Sequence, residues 1–115
     1  MNKSDEIRLR HMLDATREAI AFIQNRTRND LDADRMLVLS LVKSLEIIGE
    51  AATRVTNETK EQFRQIPWDA IVSMRNRLIH AYFDIDLDIV WKTTTQDLPS
   101  LLGELEKIIP LEGNP

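Results

Sequence analysis

Leu37, Leu41, Leu45, Ile48, Ala52 and Val55 recur at intervals of three and four residues across positions 37–55. That is the spacing of one apolar face on an α-helix, and it cannot be laid on a strand, whose faces alternate every second residue. Leu9, Met12, Leu13, Thr16, Ile20 and Ile23 repeat the pattern nearer the N-terminus. No segment alternates in the strand manner, and only three glycines and four prolines interrupt 115 residues. The chain is therefore predicted to be all-α: one domain over 1–115, an up-and-down bundle of four main helices plus a short one.

Local signals divide the bundle. Ser4 is a candidate N-cap for a first helix ending near Arg26, with Asp5 and Glu6 in its first turn. Ile7, His11 and Phe22 fall on the face opposite its core stripe and form a second, interface-like strip. Thr27–Asp34 is a polar connection from which Asp32 or Asp34 caps the second helix, which runs to Val55. Met36, Leu39 and Ile47 lie off that helix's core stripe, which predicts cover on more than one side. A short helix is expected within Thr56–Gln65, and Pro67-Trp68-Asp69 opens the next, with Ile71, Met74 and Leu78 inward. Phe83–Asp88 is an acidic turn in which Asp86 is a candidate helix cap. In the last helical segment Pro99 demands either a kink or a second piece capped by Asp97.

The bulk properties exclude several classes. The chain has no cysteines, so disulfides and thiolate metal sites are ruled out, which fits a reducing compartment. Its start shows no signal-peptide core, and the longest apolar run, Met36–Val42, is too short to span a bilayer; a cytoplasmic protein without membrane contact is expected. The net charge of −4 excludes a broad basic footprint of the kind that coats nucleic acid. Any nucleic-acid contact must be local.

The chemistry concentrates in Arg75-Asn76-Arg77-Leu78-Ile79-His80-Ala81-Tyr82. A guanidinium neutralises a phosphate in two-pronged geometry, and an imidazole moves protons near neutral pH. On a continuous helix, Arg75 and His80 stand about 140° apart, whereas Asn76 shares a face with His80. Either the helix ends or loosens before His80, or the working site combines side chains from two chains. The plain alternative is a helix end whose late Arg and His sit beside unpaired carbonyls. The run Asp84–Asp88 is not a calcium loop, because Ile89 replaces the turn glycine and Thr95 the bidentate glutamate. His11 has no neighbour at metal-ligand spacing and reads as a surface or interface residue. No glycine-rich phosphate loop is present, and neither a metal site nor a cofactor is expected.

Ser73 to Asp86 closely resembles the HepT-like branch of the HEPN superfamily, whose fuller pattern is M-R-N-x-L-I-H-x-Y-x-x-I-D. The resemblance extends to Ile48-Gly49-Glu50-Ala51, Ile66-Pro67-Trp68 and Asp97-Leu98-Pro99, so it covers most of the chain. It implies an all-α homodimer, the toxin of a type VII toxin–antitoxin module, acting as a metal-independent RNA endonuclease. Arg75 and His80 match the catalytic pair. Asn76 would support His80 or hold a phosphate oxygen, and Glu50 would position an arginine or simply pair with Arg54. The implied partner is a minimal nucleotidyltransferase (MntA-type) antitoxin that silences the toxin by transferring AMP to the tyrosine matching Tyr82. The alternative is a non-catalytic helical adaptor that binds this nucleotidyltransferase and serves as its substrate, which the acidic charge balance favours.

Overall fold

A computed structural model describes residues 1–80 and 84–109, with the side chain of His80 left out. Every regular element among the described residues is helical: α1 (Lys3–Phe22), α2 (Asp30–Ala33), α3 (Arg35–Arg54), α4 (Asn57–Gln62), α5 (Trp68–His80), α6 (Leu87–Lys92), a π-helical turn (Thr93–Asp97) and α7 (Leu98–Ile108). The predicted helical bundle is the observed architecture. α3 is its axis, packed against α1 on one side and α5 on the other, while α7 closes on α1.

The predicted stripes form the core. Leu9, Met12, Leu13 and Thr16 of α1 meet Leu37, Leu41, Leu45, Ile48 and Ala52 of α3, all buried, and Leu98, Leu101 and Leu105 complete the interior from α7. Thr16 is tolerated there because its hydroxyl donates to the Met12 carbonyl at 2.7 Å, which leaves no unpaired polar atom. From α5, Leu78 is buried and Ile71 and Met74 are half-buried against the core.

The element ends depart from expectation in instructive ways. Asn2, not Ser4, caps α1: its Oδ1 accepts from the Asp5 amide at 2.7 Å. Asp5 is thereby released for another task and is buried. Its Oδ1 accepts from the Thr56 amide (3.1 Å), and its Oδ2 accepts from the hydroxyls of Thr56 (2.5 Å) and Thr59 (2.6 Å). One carboxylate thus ties the start of α1 to the start of α4. Burial alone would raise its pKa, but the Thr56 and Thr59 hydroxyls and the Thr56 amide outweigh it and hold the group below its ordinary value.

α1 stops at Phe22, where the chain turns and Asn25 adopts a positive φ of 60°. The polar connection contains the unexpected α2, whose Leu31 is buried. Asp34 caps α3 by accepting from the Leu37 amide at 3.1 Å, and Asp86 caps α6 by accepting from the amides of Asp88 and Ile89. Of the two outcomes predicted at Pro99, the second piece is the one observed, since α7 starts directly after Asp97. Asp97 makes no side-chain cap; instead the five residues before α7 widen into a π-turn, and Pro99 stands in the first turn of α7, where a missing amide costs little.

α3 is covered on more than one side, as expected, by α1 and α5, but not at the residues that suggested it. Met36, Leu39 and Ile47 are not covered by other parts of the described chain; Met36 is 79% exposed, Leu39 40% and Ile47 37%. Two flanking helices cover two sides of α3 and leave a third side open.

Candidate active site

α5 brings Arg75 against α3 at Gly49. A Cβ added at Gly49 would stand 2.1 Å from the Arg75 Cβ and 2.6 Å from its Cγ, far inside van der Waals contact. Only glycine lets the two helices meet here, and the arginine stem lies across the gap it leaves. Glycine in mid-helix costs about 1 kcal/mol relative to alanine, so its presence at the centre of α3 is offset by the close approach.

The guanidinium is then fixed by polar contacts. Arg75 Nη2 donates to Glu50 Oε2 at 2.5 Å, and Nη1 donates to Asn76 Oδ1 at 2.8 Å. Glu50 faces two cations at once, since its Oε1 accepts from Arg54 Nε at 3.2 Å. The hydrogen bond from Arg54, then the hydrogen bond and the charge of Arg75, hold the Glu50 carboxyl below its ordinary pKa and keep it charged. Arg75 Nε is buried without a hydrogen-bond partner among the described residues. A guanidinium has five N–H bonds. With Nε buried and one bond on each terminal nitrogen engaged, each terminal nitrogen keeps one N–H for a further acceptor. Two N–H groups thus remain among the described contacts, the number that a two-pronged phosphate contact uses.

These residues open onto a cleft of about 320 Å³ between the exposed faces of α1, α3 and α5. It is lined by Arg8 and His11 from α1, by Lys43, Glu46, Ile47, Glu50, Ala51 and Arg54 from α3, and by Arg75 and Ile79 from α5. The structure brings Glu50, Asn76 and Arg75 together as one unit, with Glu50 pairing with Arg54 as well, although Asn76 bonds to Arg75 rather than standing free. His11, assigned from sequence to a surface or interface, is exposed and shares the cleft with Arg75. Gly49 and Arg8 were not identified as site residues from sequence. A buried mid-helix glycine is the one available signal for a close helix approach; nothing local marks Arg8.

α5 runs unbroken through His80, so the alternative in which the helix ends before His80 does not hold. The two motif positions remain about 140° apart around one helix axis. Tyr82 lies outside the described residues. Among the described residues no cluster of three or more His, Asp or Glu has a metal-binding arrangement, and no helix is long and apolar enough to cross a membrane.

The fold and this site define a class: a small helical protein that presents a buttressed arginine, the first residue of an arginine–histidine helix motif, at an open cleft. The chain belongs to the ribonuclease HepT-like family, whose model matches residues 12–108. It is 41% identical over 95 residues to a Thermococcus cleftensis protein named "Probable ribonuclease HepT", covering 79% of this chain and 86% of that one. A Methanocaldococcus jannaschii protein named "Putative RNase" is 35% identical over 95 residues, covering 83% and 87%. Another "Putative RNase", from Caldanaerobacter subterraneus subsp. tengcongensis, is 34% identical over 104 residues, covering 90% and 93%. No solved structure matches the chain significantly.

Proposed function

We propose that this protein is an RNA endonuclease that works without a metal, with Arg75 and His80 as its catalytic residues. The carrying observation is the arginine itself. Gly49 and Glu50 hold it at an open cleft with one N–H on each terminal nitrogen unspent, in a chain of the HepT-like ribonuclease family. In the reaction the substrate's 2′-oxygen attacks phosphorus, a proton leaves the 2′-hydroxyl, the bond from phosphorus to the 5′-oxygen breaks, and a proton is delivered to that oxygen. The products are a 2′,3′-cyclic phosphate and a 5′-hydroxyl. His80, with an unperturbed pKa of about 6.5 for its side-chain type, suits the proton transfers. Arg75 stabilises the added negative charge on the crowded phosphorane.

A homodimer is part of the same proposal. Arg75 and His80 diverge on one helix, and a second copy supplies the missing member of each pair. We further propose the toxin role, with an MntA-type nucleotidyltransferase as antitoxin and Tyr82 as the acceptor of AMP. Such a modification adds bulk and negative charge two residues from His80 and repels phosphate. The adaptor reading retains one favouring observation, the net charge of −4.

The deciding experiment is RNA cleavage in excess EDTA by the wild type, Arg75→Ala and His80→Ala, each checked for folding by circular dichroism. Cleavage by the wild type with losses of about 100-fold or more in both variants is expected. Undiminished cleavage by the variants would remove these residues from the mechanism, and no cleavage by any form supports the adaptor. For regulation, intact mass after co-expression with the nucleotidyltransferase should show AMP addition that Tyr82→Phe abolishes.

A further inference from the structure

The cleft beside Arg75 holds more positive charge than one catalytic arginine requires. Its lining carries four cations, Arg8, Lys43, Arg54 and Arg75, against two carboxylates, Glu46 and Glu50, in a chain whose net charge is −4. Glu50 is committed to Arg54 and Arg75. Arg8 and Lys43 make no ion pair or hydrogen bond among the described residues. Two cations without a partner among the described residues and the exposed imidazole of His11 therefore face one cleft.

Helix geometry sets their order. Arg8 and His11 are three residues apart on α1 and share a face. Along α3, Lys43, Ile47, Glu50 and Arg54 follow at intervals of four, three and four and also share one. Lys43 stands seven residues from Glu50, about 10 Å along the helix. Since Glu50 holds Arg75, Lys43 is two turns away from the phosphate that Arg75 would engage. Ile47 and Ile79 give the cleft apolar wall between the charges, suited to the ribose or base face of an unpaired nucleotide.

We infer that Arg8, His11 and Lys43 form a phosphate-binding subsite of this cleft, which holds the phosphodiester adjacent to the one at Arg75 and makes single-stranded RNA the substrate class. Arg8 and Lys43 supply charge, and His11 supplies an N–H donor. The inference rests on the ribonuclease reading for the identity of the Arg75 site. It adds a positioning role for three residues on two other helices. It also reconciles RNA binding with an acidic chain, because the positive field is confined to one cleft.

The test uses the full-length protein and a short fluorescent 2′-O-methyl oligoribonucleotide, which lacks the attacking hydroxyl and so reports binding alone. Affinity is measured across a salt series for the wild type, Arg8→Gln/Lys43→Gln, His11→Gln and the charge-matched control Lys92→Gln/Lys107→Gln. Losing the one phosphate that the subsite holds should flatten the plot of log K against log salt by about 0.7. We expect the Arg8/Lys43 double variant to show that change and about tenfold weaker binding, His11→Gln to bind several-fold more weakly, and the control to match the wild type. In cleavage of ordinary RNA, the double variant should raise KM about tenfold with kcat held.

Unchanged affinity and slope in a double variant that still cleaves would overturn the subsite and leave the ribonuclease reading intact. An equal change in the control would overturn it too, by showing an effect of net charge. Poly-glutamate binding that the double variant loses while its RNA affinity is unchanged would assign the cleft to an acidic protein and overturn the inference. The expected binding changes, with no cleavage of ordinary RNA by any form, would support a phosphate subsite and overturn the ribonuclease reading instead.

Discussion

Arg75 is held by a residue with no side chain and one with a charge, and the two make different demands. Alanine in mid-helix ordinarily gains about 1 kcal/mol over glycine. At Gly49 the new Cβ meets the Arg75 Cβ, which the backbone fixes and no rotamer change can move. Overpacking of this kind costs about 1–3 kcal/mol, so it exceeds the propensity gain. Gly49→Ala should lower stability in thermal unfolding and reduce RNA cleavage about tenfold or more by displacing the guanidinium. Gly103 of α7 is the contrast: an added Cβ meets nothing within 4 Å, so Gly103→Ala should gain about 0.5–1 kcal/mol with cleavage unchanged. Glu50→Gln keeps shape but removes the charge that orients both arginines; kcat should fall about tenfold while the melting temperature barely moves. The sequence marked Arg75 and Glu50 as members of the site. It did not mark Gly49, because a close approach depends on which helix arrives opposite.

The helices were legible to within a few residues, since their apolar periods and caps are local properties. Asp34 and Asp86 cap as expected because each lies beside the amides it satisfies. Asp5 was placed correctly in a first turn, yet its partners, Thr56 and Thr59, lie 51 and 54 residues away. No local rule pairs them. The Asp5 carboxyl is held below its ordinary pKa, so the stability it contributes is present above the unfolded value of about 3.9 and is lost as pH falls through the lower folded value. Asp5→Ala should cost about 2–4 kcal/mol at pH 7, because it leaves buried donors unpaired. In urea titrations the gap between wild type and variant should narrow as pH falls below 4 and Asp5 is protonated in the folded protein. A gap of unchanged size in strong acid would mean that the charge of Asp5 does not strengthen the contact. The π-turn before Pro99 follows the same logic: the proline announces a disturbance, and the packing of α7 selects its form.

Across the molecule, the least satisfied surface is a chain of apolar side chains that the fold leaves uncovered. Met36 and Leu39 stand two turns and one turn before Lys43 on the same face of α3, and Ile7 is likewise exposed on α1. Exposed groups of this size mark interaction sites more often than isolated ones do. We expect a second copy to seat on them beside the cleft. Met36→Glu/Leu39→Lys should then convert a dimer to a monomer in analytical ultracentrifugation and abolish cleavage while helicity is retained. A monomeric wild type that cleaves would refute the two-chain site.

The helical class, the core stripes and the arginine–histidine motif follow from the order of residues, because apolar periodicity and cap chemistry act over a few positions. The buttress at Gly49, the Asp5 tie and the gathering of Arg8, His11 and Lys43 around Arg75 follow only from packing. Each joins residues from different helices, and their meeting depends on which faces the whole core turns inward.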